Sequence, residues 1–377
     1  MPVERVLLAA PRGFCAGVEK AIKALAWMVR VFEPPVYCYH EIVHNRYVVE
    51  QFRRQGVIFV DDVNEVPAGA PLMLSAHGSA PEVIETARTD GRVVVDAVCP
   101  LVTKVHHELR VRASKGYTIL YVGHQGHEEA VGTMAVAPDS VKLVTSEEDV
   151  DRAADELGAE AAVALLAQTT LSHDEWSGIM THSLERFPNL WMPNRSDLCF
   201  ATTNRQTALK AIAGRSDAVV VIGSINSSNT RALEKVARAV GCSEVYRVNE
   251  ASELPLDLSG TVGVTAGASA PDELVDAVVE RLDPLHGVEE VHVTVEDEYF
   301  PPPPELRELL KGLCAALSFG LCASSSSPVP PAMTPVPPAT STEGSGSSPD
   351  DTGGPLLSPL AGDRKVSAAD VLAEMAG

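Results

Sequence analysis

The chain has 377 residues and a formal net charge of −21. That charge excludes a protein that tracks nucleic-acid phosphates, which needs a basic face, and no apolar run reaches the roughly 18 residues that cross a bilayer. Seven cysteines, an odd number scattered along the chain, argue against a disulfide framework and for a reducing cytoplasm, where cysteine is core, metal ligand or nucleophile.

From the start, the apolar stretch within Met1–Ala10 is too short for a secretory signal. It reads as a strand, Val6–Ala10, followed by a helix over Ala16–Phe32 and a short strand at Val36–Tyr39. Strand patterns follow at Val57–Val60, Leu72–Ser75 and Val93–Val95, then a helix over Leu101–Lys115 and a strand at Ile119–Val122. Val163–Leu166, a helix over Asp174–Phe187 and another over Ala201–Arg215 come next. Ala218–Ile222, a helix over Thr230–Val240 and Val262–Thr265 complete the pattern. Strands that are apolar nearly throughout, alternating with helices, predict an α/β fold whose parallel sheets are covered on both faces. In such sheets the working loops lie between the carboxyl ends of strands and the amino ends of helices.

Those loops repeat. Cys15, Cys99 and Cys199 each stand at the mouth of a helix, and 28 or 29 residues later comes a polar loop, at His44, His127–Glu129 and Ser227–Asn229. A third loop closes each segment, at His77, Thr169 and Ser269. The spacing predicts three similar α/β units, residues 1–97, 98–197 and 198–300 (the last with a closing segment), packed with pseudo-threefold symmetry around a shared centre. Residues 301–377 are rich in Pro and Ser and read as a mostly disordered tail. Within that tail the pattern allows a helical patch at Glu305–Leu317 and a short amphipathic helix from Val366.

A helix amino end favours the thiolate, and three thiolates meeting at one point make a soft site suited to an iron–sulfur cluster or zinc. The cysteines lack the close pairing typical of structural zinc. With three ligands instead of four, a cubane cluster keeps one iron open. Cys38, Cys242, Cys314 and Cys322 recur at no equivalent position and read as inert. The His, Ser, Thr and Asn side chains of the loops can donate hydrogen bonds to a phosphate or diphosphate ester. His106 and His107 fall within a helix and read as solvated surface, and His124 as support for its loop. Glu129 is the carboxylate placed for proton transfer, because burial beside an anion raises its pKa.

The motifs Pro11-Arg-Gly-Phe-Cys-Ala-Gly-Val, Ser75-Ala-His-Gly, Asp96-Ala-Val-Cys-Pro, Gln168-Thr-Thr-Leu-Ser, Gly223-Ser-Ile-Asn-Ser-Ser-Asn and Thr265-Ala-Gly-Ala-Ser-Ala-Pro-Asp closely resemble those of the 4-hydroxy-3-methylbut-2-enyl diphosphate reductases. The resemblance runs from about Val6 to Pro302. It implies a [4Fe–4S] cluster held by Cys15, Cys99 and Cys199, with the substrate's allylic hydroxyl on the unique iron. It further implies a diphosphate held by His44, His77, Ser227, Ser228, Asn229 and Ser269, with His127 close by. By the same resemblance Glu129 supplies protons and Thr169 lies near the departing hydroxyl. The implied reaction is a dehydroxylation by two electrons and two protons, giving isopentenyl and dimethylallyl diphosphates. The implied electron donor is a small ferredoxin or flavodoxin-type carrier, and the implied state is a cytoplasmic monomer without nucleic-acid or membrane partners. One departure stands out. Where that family commonly has proline after the histidine and a second acid further on, this chain has Glu128 and Val131. Glu128 is thereby an alternative proton donor.

Overall fold

The computed structural model describes residues 2–324, with side chains through residue 316. The chain divides into two compact units, Met1–Glu305 and Leu306–Gly377. The short helix expected from Val366 lies outside the described residues.

The first unit opens with β1 (Val3–Ala10), α1 (Ala16–Val31), β2 (Val36–Tyr39), α2 (Arg46–Arg54) and β3 (Val57–Val60). It continues through β4 (Pro71–Leu74), α3 (Pro81–Ala87), β5 (Val93–Asp96) and α4 (Pro100–Ser114). Next come β6 (Thr118–Val122), α5 (Glu128–Met134), β7 (Val141–Val144), α6 (Glu147–Leu157), β8 (Val163–Ala167) and α7 (His173–Arg186). The last part holds α8 (Phe200–Ala213), β9 (Ala218–Ile222), α9 (Ser228–Ala239), β10 (Glu244–Val248), β11 (Gly260–Ala266), α10 (Asp272–Leu282) and β12 (Val288–His292). A further helix, α11 (Pro304–Ser324), covers the expected patch at Glu305–Leu317 and extends past it, since Ala, Leu and Phe continue the apolar pattern there.

The strands form three sheets, in the orders β10-β9-β11-β1-β12, β3-β2-β4-β5 and β7-β6-β8, and every strand pair is parallel. Alternate side chains show why the strands read as continuous apolar runs. Leu7 and Ala9 of β1 pack with Leu209 and Ile212 of α8, while Val6 and Leu8 pack with Leu274 and Val278 of α10. In β6, Leu120 and Val122 share a core with Trp176 and Ile179 of α7, and Ile119 and Tyr121 share one with Val105 and Leu109 of α4. Both faces are covered by helices, which is why apolar residues run along nearly the whole of each strand.

One strand departs from the expected grouping by segment. β1 pairs with β11 and β12, so residues 3–10 belong to the sheet of residues 218–292 and not to that of residues 36–96. The departure follows the rule of the other two cysteines. β5, just before Cys99, lies in the sheet of β2–β4, and Trp191, ahead of Cys199, bridges to Ala164 of β8. The strand before each cysteine thus belongs to the preceding segment, and for Cys15 the preceding segment is the last one. Two-sided burial says that β1 is central; it carries no information about which neighbours flank it.

Candidate active site

Each cysteine is the N-cap residue of a helix, Cys15 for α1, Cys99 for α4 and Cys199 for α8, and all three have extended backbone. The first-turn amides of Leu101 and Val102 reach the Cys99 sulfur, and those of Ala201 and Thr202 the Cys199 sulfur. The cysteines' own amides are fixed cyclically: Cys99 N–H donates to the carbonyl of Ala76, Cys199 N–H to Thr169 and Cys15 N–H to Ala268, at 3.0, 2.9 and 3.2 Å. Each acceptor lies in the closing loop of the preceding segment. The loops of His77, Thr169 and Ser269 are therefore each tied to a cysteine of the next segment, and the relay closes into a ring.

One cavity is lined by Cys15, Cys99 and Cys199 together with His44, His77, His127, Glu129, Thr169, Ser227, Ser228, Asn229 and Ser269, while Glu128, the alternative donor, is not part of its lining. Gly17 shows how closely the sulfurs approach. A Cβ there would lie 2.9 Å from Sγ of Cys99 and 3.9 Å from Sγ of Cys15. Burial and the neighbouring cysteines push the thiols of Cys99 and Cys199 up to about 12. This corrects the expectation that helix amino ends favour the thiolates: backbone N–H groups do pull downward, but the lost solvation wins. Three sulfurs so placed fit a cationic metal centre, whose positive charge supplies what the helix ends do not.

Glu129 stands in the same cavity and is 2% exposed. Thr169 N–H donates to Oε1 at 2.7 Å and Thr169 Oγ to Oε2 at 3.0 Å. Burial still outweighs these bonds, and Asp197 adds to it, so the acid is raised to about 7. Glu128 behaves oppositely. Though burial alone would raise it, its oxygen 2.8 Å from Nδ1 of His77 and the nearby His44 hold it down at about 2. Near neutrality Glu128 has no proton to give, whereas Glu129 has. Val131, at the place of the family's second acid, is 56% exposed and does not line the cavity.

The imidazoles are ordered. Those of His44 and His77 stack with centroids 4.0 Å apart and planes at 13°, and His127 meets His44 edge-on at 5.4 Å. His127 caps α5 by accepting at Nδ1 from the N–H of Glu129 at 3.2 Å. Burial lowers His127 to about 3, so the ring is neutral with its proton on Nε2, an atom that is buried without a partner. Ser227 caps α9 through Thr230 N–H, leaving Ser228 and Asn229 in the first helical turn. Ser228 Oγ lies 3.2 Å from His124 Nδ1, and Asn229 accepts at Oδ1 from Ala268 N–H at 2.9 Å. Ser269 Oγ donates to the carbonyl of His44 at 2.9 Å.

His106 differs from its reading as solvated surface. It is half-buried, 3.1 Å from Thr133 Oγ, and lowered to about 4 by burial, while His107 is exposed as expected. Arg205 is the residue that sequence reasoning passed over. Fully buried, it donates to the carbonyls of Gly13 and Phe14 in the Cys15 loop, each at 2.9 Å, and to Ala201 at the start of α8. Its charge is met by both oxygens of Glu296 at 3.0 Å. The position lies just inside α8, but nothing in the spacing marks an arginine there as a buried brace.

Three cysteine sulfurs, an array of His, Ser and Asn side chains able to donate hydrogen bonds, and an acid raised to about 7, all facing one cavity at strand carboxyl ends, define an α/β enzyme rather than a binding module. The chain belongs to the LytB protein family, whose model matches residues 6–283. It is 44% identical over 317 residues to the 4-hydroxy-3-methylbut-2-enyl diphosphate reductase of Rhodopirellula baltica, covering 83% of this chain and 98% of that one. To the protein of the same name from Corynebacterium diphtheriae it is 47% identical over 309 residues, covering 81% and 92%. The solved E-1-hydroxy-2-methyl-but-2-enyl-4-diphosphate reductase of Plasmodium falciparum superposes with a TM-score of 0.77 at 32% identity, covering 83% of this chain and 99% of that chain. A second solved relative is an (E)-4-hydroxy-3-methyl-but-2-enyl diphosphate reductase, the terminal enzyme of the non-mevalonate pathway. It is 28% identical with a TM-score of 0.55, covering 74% of this chain and 99% of that one.

Proposed function

We propose that this protein reductively dehydroxylates (E)-4-hydroxy-3-methylbut-2-enyl diphosphate to isopentenyl and dimethylallyl diphosphates. The reaction breaks one allylic C–O bond, consumes two electrons and two protons, and releases water. It is the closing step of a non-mevalonate route to isoprenoids, the place held by the second solved relative. The observation that carries this reading is the convergence of Cys15, Cys99 and Cys199 on the cavity that also holds Glu129.

Cys15, Cys99 and Cys199 would hold a [4Fe–4S] cluster, which supplies the electrons and an open iron position for the departing hydroxyl. The chain's own residues do the rest. His44, His77, Ser227, Ser228, Asn229 and Ser269, with the amides of the first turn of α9, bind the diphosphate and fix the allylic end toward the sulfurs. His127 offers its Nε2–H as a fixed neutral donor. Glu129 delivers a proton, and Thr169, holding both its oxygens, sets the direction of delivery. A ferredoxin or flavodoxin-type carrier feeds the electrons, and the protein works as a monomer in the cytoplasm. Free thiols at Cys15, Cys38, Cys99, Cys199 and Cys242 suit that compartment. Among the described residues no helix is long and apolar enough to cross a membrane.

The test is direct. Anaerobically purified protein should be brown, contain close to four iron and four sulfide per chain, and oxidise reduced viologen only when the allylic diphosphate is added. A colourless, folded anaerobic protein would sink the proposal.

A further inference from the structure

His77 and Glu128 form a contact that the proposed chemistry does not use. Their facing atoms, Nδ1 and a carboxylate oxygen, lie 2.8 Å apart, both are shut off from solvent, and neither makes a well-angled hydrogen bond to any group. The approach is bent, yet at that distance two unscreened groups interact strongly. Glu128 is the first residue of α5 and stands behind His77, whereas its neighbour Glu129 lines the cavity itself. The same cluster places His44, His77 and Glu128 ligand atoms within 4.8 Å of one another. It is nonetheless not built for a metal ion. A metal lies in the plane of the imidazole that binds it, and stacked rings only 13° from parallel share no such point.

We propose that Glu128 is a positioning residue for His77: it holds the ring through Nδ1, so that Nε2 is the atom that takes a proton when a diphosphate enters the cavity. This rests on the diphosphate reading of the site. A carboxylate beside Nδ1 favours the proton on that nitrogen, so Nε2 carries the lone pair and can donate only after protonation. The titratable groups around His77 are His44, His40 and Glu41 from the segment after β2, with Glu128 and His127 at the start of α5. Burial and the two neighbouring histidines favour neutral His77 in the free cavity, while Glu128 opposes them. An incoming diphosphate adds negative charge on the Nε2 side and tips the balance, so binding draws one proton from solvent.

Isothermal titration of the anaerobic holoenzyme with inorganic diphosphate, at about pH 7.5 in two buffers of different ionisation heat, gives affinity and proton uptake together. The native protein should take up close to one proton. Glu128→Gln should bind about tenfold more weakly and lose that uptake, with the visible absorption of the cluster intact. Glu128→Pro should do the same, because proline is tolerated at the first position of a helix. The proposal is overturned if both variants keep native affinity and native proton uptake while His77→Gln loses them. If His77→Gln itself leaves diphosphate binding untouched, the anion-site reading falls with it.

Discussion

Two adjacent acids, Glu128 and Glu129, have the same chemistry and opposite ionisation, and their surroundings explain the difference. Glu129 is enclosed by Thr169 and raised to about 7, whereas Glu128 faces two imidazoles and is lowered to about 2. Turnover should hence decline as pH rises past about 7, where Glu129 loses its proton. Glu129→Gln should lower turnover about 10²–10⁴-fold with iron content unchanged, measured with reduced viologen. Stability falls with pH over the same range. A raised carboxyl contributes fully below its unfolded value near 4.5, and that contribution is lost as pH rises to about 7. Glu129→Gln should therefore be more resistant to denaturant than the native protein at about pH 8, by up to about 3 kcal/mol. An unchanged denaturation midpoint there would show that Glu129 is not held protonated by burial.

At the scale of elements, α5 works because it sits against the loop of His77. Gly132 on α5 faces the backbone of Gly78, and a Cβ at Gly132 would overlap the Gly78 carbonyl oxygen. Gly78 in turn has φ of +86°, a conformation L side chains rarely adopt, so neither partner can yield by becoming larger. This backbone-to-backbone approach sets how near Glu128 and Glu129 come to the histidines. Gly132→Ala should force α5 outward, destabilise the protein by roughly 1–3 kcal/mol and cut turnover on the order of a hundredfold. Paired denaturation and turnover assays check both; native values in each would show that the loop moves aside freely. The sequence made the helix starts legible, since Ser227, Asn45 and the cysteines stand at N-cap positions. The contact of two glycines 54 positions apart (132 − 78) left no trace in periodicity.

Across the first unit, the amides of Cys15, Cys99 and Cys199 tie the closing loops into a ring, and the chain's first strand completes its last sheet. Arg205 reinforces that closure. It joins the Cys15 loop to α8, and Glu296, beyond β12, neutralises it. Arg205→Met would leave the half-buried Glu296 opposite an apolar side chain and take the donor from the Gly13 and Phe14 carbonyls. The expected cost is about 3–5 kcal/mol, with iron content falling well below that of native protein purified alongside. Arg205→Lys should not restore it, because one ammonium cannot span the three carbonyls that the guanidinium fork reaches. Full iron occupancy in Arg205→Met would remove the brace from the account.

Read alone, the sequence indicated an α/β fold with apolar parallel strands and singled out the cysteines and polar loop residues that share the cavity, while leaving α2, α3, α5, α6, α10, β7, β10 and β12 unmarked. Those properties are local: apolar period, helix capping and the recurrence of a cysteine at a helix mouth are all written within short windows. The tertiary structure decided the rest, including which sheet β1 completes, how burial reverses the expected ionisation of Cys99 and Cys199, and which of two neighbouring acids keeps its proton. Each of those depends on groups far apart in the chain that meet only after folding, because solvation and charge are set by what surrounds a side chain in space.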